Sequence, residues 1–138
     1  MLTSATTAAI EFVVPGELVP WARARGGKTV PHYTPSKQAN YMTALKLICS
    51  TAMKGAPPLE GPIKLTLLAC YPWPRAWSQK KRDANRWRWT KPDYDNIGKI
   101  VGDALNKIAW RDDAQIADAT VHKFFGETPG LAVRIERL

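Results

Sequence analysis

Between Tyr94 and Lys107 the apolar residues keep to one side of a helix. Ile97, Ile100, Val101, Ala104, Leu105 and Ile108 follow the i, i+3, i+4, i+7, i+8, i+11 pattern. Asp95, Lys99, Asp103 and Lys107 fall on the opposite face. Such a stripe must be buried against a second layer. Two other segments can supply that layer. Ile63–Tyr71 begins with alternating Ile63, Leu65 and Leu67, which predicts a strand ended by Pro72 and Pro74. Residues 36–54 carry Met42, Leu45, Ile48 and Cys49 at helical spacing behind Ser36, a residue suited to an N-cap.

The remaining segments complete an α+β order. Residues 10–14 are β-branched and apolar, a first strand stopped by Pro15-Gly16. Residues 15–35 hold four prolines and three glycines and read as a basic loop containing Trp21, Arg23, Arg25, Lys28, His32 and Tyr33. Residues 72–92 show no periodicity and read as a second loop, basic and tryptophan-rich. Trp110-Arg111-Asp112-Asp113 reads as a turn. Residues 114–125 and 131–137 read as two strands joined in a hairpin at Thr128-Pro129-Gly130. Residues 1–9, rich in Thr and Ala, are expected to fray. The sum is a small mixed β-sheet packed with two main helices in a single domain, 1–138. A length of 138 residues and a hydrophobic share of 45% suit one core.

Charge narrows the partner. A net charge of +8 favours an anion, most often nucleic acid, with an acidic membrane surface second. No apolar run approaches the ~20 residues needed to cross a bilayer. The N-terminus lacks the basic and apolar regions of a secretory signal. Cys49 and Cys70 form no C-x-x-C pair and have no zinc spacing, and read as reduced core thiols of a cytoplasmic protein. His32 and His122 are isolated and read as structural or surface groups. No nucleophilic triad is visible, nor any glycine loop for a nucleotide cofactor.

The acids define the chemistry. Asp93 and Asp95 flank the start of the stripe helix, and Asp113 follows it. Mg²⁺ takes hard oxygen ligands, using one or two carboxylates while it keeps waters and phosphate oxygens. The plainer alternative is capping, worth about 0.5–2 kcal/mol to a helix start. Convergence separates the two. Converging carboxylates repel by about 4 kcal/mol per pair at 4 Å and an effective dielectric of 20, which demands a cation or raised pKa values, whereas caps need not converge. Lys99, one turn past Asp95, is either an exposed ion-pair partner or a group that holds phosphate. Asp103, on the same face, suits pairing in solvent or at an interface.

Residues 91–116, K-P-D-Y-D-N-I-G-K-I-V-G-D-A-L-N-K-I-A-W-R-D-D-A-Q-I, resemble the signature of the RusA family of Holliday junction resolvases, often carried by phages and prophages. The pattern K-P-D-x-D-N, a lysine four residues past the second Asp, D-A-L-N and W-x-D-D-x-Q are matched without a gap. P-G-E-L-V-P-W-A-R-A-R and Y-T-P-S-K resemble the family's opening, with Arg23-Ala24-Arg25 where R-P-R is common. The resemblance implies a dimeric RusA-like fold. Its catalytic acids fall on Asp93, Asp95 and Asp113, the same three being the metal ligands, and its essential lysine falls on Lys99. It further implies Mg²⁺, with Mn²⁺ able to substitute, and paired cuts in four-way DNA junctions during recombination and repair.

The helix raises a geometric question. From Tyr94 to Lys107 it is about 20 Å long, and the six residues on to Asp113 reach at most ~20 Å. A return to Asp95 within one chain requires a nearly direct reversal. In a two-fold dimer with antiparallel helices, Asp113 or Lys99 serves the partner's site instead, a hypothesis motivated by helix length. A C2 pair of sites also matches a junction of near two-fold symmetry.

Arg75, Lys80, Lys81, Arg82, Arg86, Arg88 and Lys91 stand against only Asp83 in residues 72–91, interleaved with Trp73, Trp77, Trp87 and Trp89. Cations at this density track phosphates, and aromatics stack on unpaired bases. Lys80, Lys81, Arg82, Arg86, Arg88 and Lys91, with Arg23 and Arg25, are the expected DNA contacts. The alternative is that the tryptophans cover the chain's own core or a dimer seam. Three rivals to a junction resolvase stand: a flap or fork nuclease, a structure-specific DNA-binding module without catalysis, and a basic virion or interaction protein.

Overall fold

The sheet is mixed. β1 (Ile10–Pro15), β2 (Ile63–Tyr71), β3 (Ile116–Phe125) and β4 (Gly130–Arg137) lie in the order β1-β4-β2-β3. β2 runs parallel to β3 and antiparallel to β4, and β4 runs antiparallel to β1. Among the described residues three α-helices accompany it: α1 (Ser36–Met53), the short α2 (Gln79–Ala84) and α3 (Tyr94–Leu105). The structure is a computed structural model and describes residues 9–22 and 36–138. The expectations for Arg23, Arg25 and His32, and for residues 1–8, lie outside the described residues. The expected α+β class, with a mixed sheet and two main helices, is what the chain adopts.

Alternation decides which face of the sheet is covered. Along β2, Ile63, Leu65, Leu67, Ala69 and Tyr71 are buried, while Lys64, Thr66, Leu68 and Cys70 are half-buried on the reverse. β4 adds Leu131, Val133 and Ile135 to the covered face, and β1 adds Phe12 and Val14. The α3 stripe lies in this core, with Ile97, Ile100, Val101, Ala104 and Leu105 all at 0% exposure. Each such Ile or Leu contributes roughly 1.5–3 kcal/mol. On α1 the buried line is Tyr41, Leu45, Cys49 and Met53, one per turn, with Met42 and Ile48 on its flanks. Cys49 and Cys70 are free thiols. No helix among the described residues is long and apolar enough to cross a membrane.

The hairpin expected at 128–130 does not form. β3 and β4 are not neighbours, because β2 lies between them and pairs with both. The connection at 126–129 crosses the end of β2 instead. The Gly126 N–H donates to the Tyr71 carbonyl at 2.9 Å, and the Gly16 N–H to the Pro129 carbonyl at 3.1 Å. Two inter-strand steps are about 10 Å, within reach of four residues at up to ~3.3 Å each.

The segment 72–92 is not all loop. Within it lies α2, whose first turn is capped by Ser78 accepting from the Lys81 N–H at 3.2 Å. Gln79 reaches Asp83 one turn on, at 2.8 Å. α2 has no buried residue, so no apolar period announces it. Residues 86–88 then run along the outer edge of β3. Trp87 bridges Phe124, Arg88 N–H donates to the Lys123 carbonyl, and Phe125 N–H to that of Arg86. This covers an edge that would otherwise expose unpaired backbone.

Candidate active site

α3 ends at Leu105, and the chain reverses at once. Lys107 adopts φ 70°, and its N–H donates to the Trp110 carbonyl. Trp110, fully buried, donates from Nε1 to Asn106 Oδ1 at 2.9 Å. Gln115 holds the turn beyond Trp110. Its Oε1 accepts from the N–H groups of Arg111 (2.8 Å) and Asp112 (3.1 Å). Its Nε2 donates to the carbonyls of Leu59 (2.9 Å) and Gly61 (3.0 Å). Asp112 accepts from the Ala114 N–H at 2.9 Å, closing a capping box on the single 3₁₀ turn Asp113–Gln115.

The two adjacent acids are thereby sorted. Asp112 caps the turn, and Asp113 is laid against α3. A Cβ added at Gly102 would stand 3.1 Å from Asp113 Oδ2, so only glycine leaves room for the carboxylate as it lies. Burial raises the Asp113 pKa above the ordinary carboxylate range. A hydrogen bond to the Asp112 side chain and the charges of Asp112 and Asp103 push the same way, while Lys99 pulls it down.

Asp93 sits at the N-cap position of α3, yet its side chain makes no capping hydrogen bond. Its carboxylate pairs with Lys91 Nζ at 3.5 Å on the surface. Asp95, in the first turn, is exposed and has no ion pair or hydrogen bond among the described residues. Neither carboxylate therefore makes a side-chain capping hydrogen bond among the described residues. Lys99 pairs with Asp103 at 3.2 Å, not with Asp95, and its Nζ lies 4.8 Å from the centre of the Trp21 ring.

Asp93 faces a cleft of about 560 Å³ between residues 17–22, including Trp21, and Asn96 at the start of α3, walled also by Tyr71, Arg88 and Lys91. The Trp21 N–H donates to the Asn96 carbonyl at 3.1 Å, and the Ala22 N–H to the buried Gln38 of α1 at 3.0 Å. These bonds fix the opposite wall. Below it, Lys123 Nζ donates to the Thr90 and Pro92 carbonyls, both at 2.7 Å. Arg88 donates twice to the Lys91 carbonyl, at 2.9 and 2.7 Å, and stacks 4.2 Å from the Tyr71 ring centre. Two cations thus pin the three carbonyls leading into Asp93. Lys123, Tyr71, Asn96 and Gln115 are site residues that sequence reasoning missed. The N of K-P-D-x-D-N and the Q of W-x-D-D-x-Q are the signals that pointed to two of them.

The acids do not gather at one point. Gly102, which Asp113 touches, lies seven residues beyond Asp95, about 10 Å along the helix. No group of three His, Cys, Asp or Glu side chains able to hold a metal occurs among the described residues. The convergence that would mark a metal site is thus absent within one chain among the described residues, and what Asp93 and Asp95 offer a Mg²⁺ ion is their donor type, hard carboxylate oxygen.

The remaining expected DNA contacts differ in setting. Lys80 and Lys81 are exposed on α2. Arg82 lies over the Trp73 ring at 5.5 Å, and Arg86 over Trp87 at 5.0 Å. His122 meets Trp87 edge-on at 5.5 Å.

The family model described as endodeoxyribonuclease RusA matches residues 15–136. The chain is also similar to "Uncharacterized protein YqaN" of Bacillus subtilis (strain 168), 30% identical over 139 residues, covering 94% of this chain and 96% of that one.

Proposed function

The chain belongs to the RusA family of endodeoxyribonucleases, and from that membership we propose that it resolves four-way DNA junctions by paired, Mg²⁺-dependent strand cleavage as a homodimer in the cytoplasm. The observation that carries the site assignment is the Asp93 carboxylate, which occupies a cap position, does not cap, and faces a cleft. Asp93 and Asp95 are assigned to hold the metal, with Asp113 completing the acid set from its own chain or its partner's. Mn²⁺ has the same preference for oxygen ligands and is expected to substitute. When bound, the metal supplies Lewis acidity to the phosphate and acidifies a bound water.

The chain's own residues do the rest. Lys91 and Arg88, on the cleft wall, bind the phosphate flanking the cut. Lys99, held ready by Asp103 and Trp21, stabilises negative charge that develops on the phosphate. The raised pKa of Asp113 comes first from burial and then from the neighbouring Asp112 and Asp103 carboxyls, and a nearby cation would offset only the latter part.

A labelled synthetic four-way junction tests the reading beside a flap and a plain duplex. The expected result is symmetric nicking of the junction in Mg²⁺ that EDTA and Asp95→Asn abolish. Faster cutting of the flap moves the substrate to flaps and forks. Tight binding without cutting in Mg²⁺ and in Mn²⁺ makes the chain a binding module.

A further inference from the structure

The four tryptophans of residues 72–91 have different surroundings. Trp73 and Trp77 are half-buried, with Trp77 edge-on to Phe125 at 5.3 Å. Trp87 and Trp89 are 49% and 84% exposed. Among the described residues no ring–ring contact or cation engages Trp89. Exposing that much indole costs solvation free energy that a flat ligand would recover.

Three of these rings, Trp77, Trp87 and Trp89, line a second cavity of about 340 Å³ together with Phe125, Lys81 and Arg88. No acid among the described residues lines it. The volume lies at the small end of ligand pockets, roughly 300–1,000 Å³, suited to one or two flat rings and not to a duplex. Lys81 Nζ stands 4.7 Å from the Trp77 ring centre, placing positive charge at the rim. The two cavities, this pocket and the cleft that holds Asp93, share Arg88 as a lining residue.

We infer that the Trp77–Trp87–Trp89–Phe125 pocket receives an unpaired nucleobase of the DNA, stacked on indole, while Lys81 and Arg88 hold the neighbouring phosphates. The occupant is flat and aromatic because the walls are, and anionic at its edge because the rim is cationic. The inference rests on DNA being the substrate, but not on cleavage or on metal. Its consequence for the reaction is registration: a base drawn out at the branch point fixes which phosphate reaches the cleft.

Binding is measured in EDTA so that no strand is cut. The probes are an oligothymidylate and a strand of equal phosphate number whose central positions are abasic. Stacking is worth about 1–3 kcal/mol per base, 5- to 150-fold in affinity. The expected result is at least fivefold preference for the thymidylate with quenching of tryptophan emission. Trp89→Ala and Trp87→Ala should each erode that preference, while the salt dependence stays as in the wild type. Equal affinity of the wild type for both probes overturns the inference without any variant. So does a Trp89→Ala protein that keeps the preference, or one that changes only its oligomeric state. Failure to cut a junction in Mg²⁺, with the thymidylate preference intact, removes the nuclease reading and leaves the pocket.

Discussion

Gly102→Ala separates the stability of α3 from the placement of Asp113. Gly102 lies inside the helix at an ordinary helical φ, so alanine gains about 1 kcal/mol of helix propensity there. The new Cβ would lie 3.1 Å from Asp113 Oδ2 and 3.4 Å from Asp113 Cβ. The second distance is nearly ordinary contact, but the first is not, so the carboxylate must yield by a few tenths of an ångström. The Asp113 backbone has little freedom to follow, because the capping box holds it. The carboxylate therefore turns within a setting already charged by Asp112 and Asp103, which takes back part of the helix gain.

The net stability change lies between zero and about 1 kcal/mol, a rise in Tm of up to roughly 3 °C. Cleavage should respond the other way. A 1 Å misplacement of a catalytic group costs on the order of 10²-fold, so a smaller shift should cost about tenfold. Thermal melts and single-turnover cleavage of a labelled junction read the two effects separately. Full-rate cleavage with Tm unchanged or raised would refute the idea that the reaction uses Asp113 where it rests on α3. A fall in Tm would refute the packing argument.

Gln115→Ala removes four hydrogen bonds at about 0.5–1.5 kcal/mol each; a drop in Tm near ~10 °C is expected by calorimetry, with cleavage lowered even well below the melt. Lys80→Ala/Lys81→Ala should weaken junction binding and reduce the slope of log K against log salt by up to about 2, at ~0.9 per phosphate contact; an unchanged slope in a salt titration excludes α2 from the DNA surface. Asp113→Asn, melted in EDTA, should be more stable than the wild type at neutral pH. The raised folded pKa favours the protonated acid, so the stabilising contribution of Asp113 is full below the ordinary carboxylate range and is lost as pH rises through the raised folded value; the advantage of Asn must vanish in acid. Mixing Asp93→Asn with Asp113→Asn subunits tests site sharing, since a shared arrangement leaves one site of the heterodimer intact and restores nicking, whereas self-contained sites stay inactive.

The α3 stripe and the β2 alternation were legible because both report burial directly, at periods of 3.6 and 2. The hairpin misled because Thr128-Pro129-Gly130 marks a reversal without saying whether a third strand lies between the arms. α2 was invisible because a helix that buries nothing has no stripe. The reversal toward Asp113 could be bounded by chain reach but not located. What locates it is Gln115 meeting the carbonyls of Leu59 and Gly61, more than fifty residues away, and Lys107 taking a backbone conformation that favours glycine.

The basic segment shows most sharply what composition leaves open. Every cation in it looks alike as a charge, and each is a plausible phosphate contact on density alone. The fold gives them different targets. Arg88 directs two donors to the Lys91 carbonyl, and Arg82 covers the Trp73 ring. Lys123, outside the segment, is committed to the Thr90 and Pro92 carbonyls. A cation already bonded to backbone adds less to counterion release than one in open water, since DNA must compete for it. Lys80 and Lys81, exposed on a helix that buries nothing, are the pair most open to backbone phosphates. The bonded cations also matter to cleavage through geometry, because the carbonyls they hold lead directly into Asp93.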